Sequence, residues 1–153
     1  MRLKPSAGFT LVEAILVIAI VGVLLAIAYP AFQNYLEKGR RAQALVDLQE
    51  ISDLIRKSEK TTGTLPDALS ALGLDTRRDP WGRAYEYFNL RTAKGNGQAR
   101  KDKKLSPLNS DFDLYSVGAD GITHASLGNA ASRDDLVRAR DGAFIGTAEE
   151  FDP

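Results

Sequence analysis

Residues 9–29 read FTLVEAILVIAIVGVLLAIAY, and apart from Thr10 and Glu13 every position is apolar or glycine. At a rise of about 1.5 Å per residue, a helix of this length matches the ~30 Å hydrocarbon core of a bilayer. The pattern therefore predicts a membrane-length helix. Past Pro30 it becomes amphipathic: Ala44, Leu48, Ile51 and Ile55 recur at steps of four and three, and Leu45 and Leu54 broaden the stripe. Arg40, Arg41, Asp47, Glu50, Asp53, Arg56 and Lys57 mostly fill the other faces. One continuous helix is predicted, with Gly22 and Pro30 as weak points, a solvated charged face, and an end near Thr61-Thr62-Gly63.

Shorter elements follow. TGTLPDALSALGL reads as a turn and a short helix that can bury Leu69 and Leu72. In RRDPWGRAYEYF, Pro80 and Gly82 punctuate a turn around Trp81, and Tyr85 and Tyr87 alternate into a strand. SDFDLYSVGADG predicts a half-buried strand through Phe112 and Leu114, then a turn at Gly118-Ala119-Asp120-Gly121. A turn at Asp141-Gly142 and the apolar run of residues 143–145 predict one more strand or extended edge. A long helix followed by short strands predicts an α+β fold, the second half of the helix packing on a small antiparallel sheet with irregular loops at its edge.

Glu13 stands out, because an ionised side chain in the bilayer costs on the order of 3 kcal/mol or more and normally marks a partner. Cleavage between Gly8 and Phe9 would create a free α-amino group four residues before Glu13. Between two helices staggered by about one turn, the amine of one chain then meets the carboxylate of the next. A carboxylate snorkelling from the helix end is the plainer alternative. The same segment also fits a secretory signal peptide: Arg2 and Lys4 form a basic start, residues 14–25 an apolar middle, and Ala26-Ile27-Ala28 a small-x-small cleavage site. In that case the remainder is a secreted binding module or enzyme.

Composition narrows the choice. Beyond the anchor, roughly 120 residues suffice for one domain with a modest core. Lys plus Arg and Asp plus Glu each count 20, which leaves no footprint for nucleic acid. Cysteine is absent and His124 is the only histidine, so neither a Ser/His nor a Cys/His catalytic site is visible, and a His-rich metal site is excluded. Phosphate-binding and dinucleotide-binding glycine patterns are also lacking, and no enzyme chemistry is expected. Residues 91–110 carry Arg91, Lys94, Arg100, Lys101, Lys103 and Lys104 against a single acid, Asp102. They read as a solvated flexible loop, with a basic patch for an acidic partner as the alternative. Downstream of the Asp120 turn stand Asn129, Ser132, Asp134 and Asp135. Calcium takes six to eight oxygens, which two Asp-bearing loops could supply, although Asp is common in turns for its own local hydrogen bonding.

Gly8-Phe9-Thr10-Leu11-Val12-Glu13, set between a short basic leader and an unbroken apolar run, resembles the type IV pilin and pseudopilin family position for position. The resemblance implies a pilin-like fold, cleavage after Gly8 and methylation of the Phe9 amine by an inner-membrane prepilin peptidase, and pairing of Glu13 with a neighbour's N-terminus during assembly. It implies a leader at 1–8, a transmembrane and assembly helix at 9–30 and a periplasmic globular domain at 31–153. Lys38, Arg40 and Arg41 compete with Arg2 and Lys4 in the charge rule for orientation, so it is the leader that places the C-terminal domain outside the cytoplasm.

Leu65-Pro66, the 69–72 helix and Asp79-Pro80-Trp81-Gly82 with Tyr85 and Tyr87 resemble, more narrowly, the major pseudopilins of bacterial type II secretion systems. That likeness implies self-assembly into a helical pseudopilus. It also implies partners in the minor pseudopilins, the inner-membrane assembly platform and membrane lipid, and a role in exporting folded proteins. A type IV pilin of a surface fibre is the nearest alternative, but the cysteine pair that often closes the C-terminal loop of such pilins is missing. Major pseudopilins bind calcium after an equivalent Ala-Asp-Gly turn. The resemblance thus implies a calcium site built on Asp120 and on Asp134 or Asp135, with Val117 and Ser132 in the ligand set. Residues 91–110 depart from that pattern, since the family joins these strands by a shorter loop.

Overall fold

The computed structural model describes residues 8–93, 95 and 97–151. Helix α1 (Leu11–Thr62) continues through Gly22 and Pro30. It stops where expected: Gly63 adopts φ +79°, and its N–H caps the Glu59 carbonyl at 2.8 Å, a left-handed C-terminal cap that glycine accommodates without penalty. The chain divides into two compact units, Met1–Lys38 and Gly39–Pro153. In the first, the described side chains from Phe9 to Tyr35 are largely exposed, and the helix is long and apolar enough to cross a membrane.

In the second unit, four antiparallel strands form a meander in the order β1 (Glu86–Asn89), β2 (Phe112–Ser116), β3 (Leu136–Ala139), β4 (Phe144–Thr147). Register pairs Tyr87 with Leu114, Tyr115 with Val137 and Val137 with Gly146. Alternation along β2 and β3 sends side chains into two cores. Phe112, Leu114 and Leu136 join Ala44, Leu48, Ile51 and Ile55 of α1, together with Leu65, Leu69 and Tyr85. Val137 and Ala139 pack with Leu108, Leu127, Ala148 and Phe151. At about 1.5–3 kcal/mol for each fully buried aliphatic side chain, the α1 stripe is the main apolar tie between helix and sheet.

Three expectations change. Asp47 lies buried rather than on a solvated face, with the Tyr85 hydroxyl donating to it at 2.8 Å and Arg77 at 2.7 Å. Strand β3, which its sequence did not predict, is buried at all four positions. The basic segment is not a free excursion: Ala99, Arg100, Leu108 and Asn109 are buried. The 69–72 helix forms as a 3-10 turn closed by Gly73 in the left-handed region.

Candidate functional site

The first turn of α1 is built by local hydrogen bonding. The Glu13 N–H reaches Thr10 Oγ1 at 3.3 Å, while Glu13 Oε2 accepts from the Thr10 N–H at 2.9 Å and from the Thr10 hydroxyl at 2.7 Å. This is a reciprocal capping box that satisfies donors the first turn leaves open. Thr-x-x-Glu ahead of an apolar run is its signature in the sequence. Gly8, Phe9 and Glu13 are all exposed, and Phe9 shows 81% of its surface. The carboxylate that caps its own helix thus lies on an apolar, uncovered element.

The second site is the connection between β2 and β3. Asp79 organises one side: its carboxylate accepts from the Trp81 and Arg83 N–H groups at 3.1 and 2.8 Å and from the Ser116 hydroxyl at 2.6 Å. Arg83 then donates to the carbonyls of Gly118 and Ala119 at 2.7 and 3.2 Å. Opposite, Asp134 Oδ2 accepts from the N–H groups of Ala119 and Asp120 at 2.8 and 3.1 Å. Gly118 sits at φ +65°, and a Cβ there would lie 2.5 Å from Asp134, so the turn requires glycine.

Asp120 is exposed and accepts from the Ile122 N–H at 2.8 Å, an Asx turn. Ser132 is buried and pins His124, taking its N–H and giving its hydroxyl to the His124 carbonyl, both at 2.8 Å. Val117 is half-buried. Asp135 is fully buried; its Oδ2 pairs with the Arg100 guanidinium and accepts from the Thr123 hydroxyl at 2.6 Å. Burial pushes its carboxyl above the ordinary value, and the Thr123 and Arg100 contacts only partly offset this.

Residues 3–29 match the family described as the prokaryotic N-terminal methylation motif. Fimbrial protein Q of Moraxella bovis is 32% identical over 86% of this chain and 75% of its own length. The chain belongs to the type IV pilin and pseudopilin family. The type II secretion system core protein G of Klebsiella pneumoniae is 29% identical over 83% of this chain and 96% of its own length, and that of Vibrio cholerae 26% identical over 84% and 94%. No solved structure matches the chain significantly. The family is structural rather than enzymatic.

The implied pseudopilin calcium can be tested against the donors. Asp134 lies across the turn from Asp120, but its Oδ2 is taken by amides. The turn carbonyls face Arg83, and Asp135 faces Arg100. Among the described residues, no three acidic, histidine or cysteine side chains gather as a metal group. As arranged, guanidinium groups occupy the Gly118 and Ala119 carbonyls and the Asp135 carboxylate, and a dication would have to compete with them for those oxygens. Sequence reasoning did not anticipate the roles of Arg83, Arg100 and Asp79, since charged residues in polar loops carry no periodic signal of their distant partners.

Proposed function

We propose that this pilin-family chain is a structural subunit of a type II secretion pseudopilus, anchored in the bacterial inner membrane by its N-terminal helix with the C-terminal domain in the periplasm. The observation that supports this reading is coverage: the alignment spans 96% and 94% of two core protein G chains, against 75–84% of fimbrial protein Q and two fimbrial proteins of Neisseria meningitidis. Prepilin peptidase cuts after Gly8 and methylates Phe9, and the apolar helix passes from lipid into the filament axis. Each Glu13 meets a neighbouring Phe9 amine there, fixing the stagger between copies. Minor pseudopilins and the assembly platform are its partners in moving folded proteins outward.

The fimbrial relatives support a second reading, a surface-fibre pilin. Deleting the gene separates the two: loss of protein export with surface fibres intact supports the pseudopilus, and loss of fibres with normal export supports the pilus. Intact mass and N-terminal sequencing of the chain recovered from membranes should give N-methylated Phe9 as the first residue. A chain beginning at Tyr29 would be the product of signal peptidase and would end both readings.

A further inference from the structure

We propose that Arg100, seconded by Arg83, is this subunit's built-in cation: their guanidinium groups hold the β2–β3 connection closed without a metal ion. Arg100 is 3% exposed and comes from the long segment between β1 and β2. Its guanidinium pairs with Asp135, donates to the Thr123 hydroxyl and to the His124 carbonyl at 2.9 Å, and stacks 4.2 Å from the centre of the Tyr115 ring. It thereby joins the middle of the connection to its end. A bound dication would make the same link by drawing carboxylate and carbonyl oxygens together.

The backbone of Arg100 is fixed independently of its side chain. Its N–H donates to Asp113 at 2.7 Å and its carbonyl accepts from Leu108 at 2.8 Å. Lys101 bonds Ala125 and Leu127 through its backbone, both at 2.9 Å. The charge is therefore delivered to one place. Arg83 does the corresponding work at the near end, where its guanidinium fills the space beside Gly121. Asp135 Oδ1 and Arg100 Nε lack hydrogen-bond partners among the described residues, so the pair is not fully satisfied. Such a pair contributes little net stability over an apolar pair, but leaving one member alone is heavily penalised.

The test uses the full chain in detergent, following thermal unfolding and the rate of protease cleavage within residues 117–135, in calcium and in chelator. The wild type should give the same Tm and cleavage rate in both. Arg100→Met and Asp135→Leu should each be cleaved about 100-fold faster, because each strands a buried charge. The double variant should be cleaved more slowly than either single one. Calcium protection of the wild-type loop would overturn the proposal, as would a double variant cleaved as fast as Arg100→Met. If the single variants do not fold, the calcium comparison on the wild type decides alone.

Discussion

Replacing Asp111 by alanine should cost the globular unit about 4 kcal/mol. The reason lies in Arg138, which is 1% exposed in the middle of β3. Asp111 receives it side-on, with Nη1 to Oδ1 at 2.8 Å and Nη2 to Oδ2 at 2.7 Å. The same guanidinium donates to Ser52 of α1 at 3.1 Å, to Asn109 at 3.3 Å and to the Phe112 carbonyl at 2.9 Å, and lies 3.9 Å from the centre of the Phe112 ring. Removing the carboxylate deletes two charge-assisted bonds of about 1.5–3 kcal/mol each. Counted the other way, it leaves a buried charge with neutral acceptors only, a situation that costs about 3–5 kcal/mol. The two routes agree. For a unit of this size, 4 kcal/mol lowers Tm by about 15 °C, which near-ultraviolet circular dichroism of the full chain in detergent would resolve. Asp111→Ala with Arg138→Met should recover part of the loss. A single variant that melts within 3 °C of the wild type, or a double variant less stable than Asp111→Ala, would refute the assignment of Arg138 as a charge held by Asp111.

Acidity probes the same pair. Burial raises the Asp111 carboxyl, but Arg138 and the Phe112 N–H outweigh it and hold the group below its ordinary value; Asp47 is likewise lowered, its desolvation outweighed by Arg77, Tyr85 and Gln43. A depressed folded-state pKa contributes stability that is complete above the unfolded value of about 3.9 and lost as pH falls through the folded value. The stability contributed by the two groups should therefore be complete above about pH 4 and decline as pH falls below it, and a midpoint shift on Asp111→Ala that is larger near pH 6 than near pH 2 would confirm the sign. At the chain start, Glu13→Gln keeps a side chain able to close the capping box but removes the charge, whereas Thr10→Ala keeps the charge and weakens the cap by about 1 kcal/mol. Filament incorporation, read by crosslinking in membranes, should fail for Glu13→Gln and survive in Thr10→Ala; the opposite result would make Glu13 a cap and not a docking charge.

Much of the architecture was legible because one periodicity dominated. Ala44, Leu48, Ile51 and Ile55 give a clean stripe, and Gly63 marks where it must end. Strand β1 and strand β2 show through aromatic and aliphatic alternation. Strand β3 does not, since burial on both faces removes alternation and Arg138, a strongly polar residue, occupies its core. Asp47 misled for a related reason: an acid on a helix reads as solvated until a distant Tyr85 and Arg77 are brought to it. The N-terminal motif was legible because it is contiguous in sequence, although the capping box between Thr10 and Glu13 was not anticipated. The arginines that organise the β2–β3 connection were not, because each acts across tens of residues.

The long segment between β1 and β2 also bears on how such a subunit can be altered. Arg91 pairs with Glu59 at its entrance, and from Ala99 onward the chain is bound into the fold through Arg100, Leu108 and Asn109. Gly95 and Gly97 stand exposed between these anchors, with nothing within 4 Å of where a Cβ would be. From Ala99 onward the length of the segment is therefore fixed by its contacts, whereas Gly95 and Gly97 make none through a side chain. A peptide inserted at Gly97 should be tolerated better than one inserted between Arg100 and Asn109, where the backbone is tied to Asp113, Ala125 and Leu127.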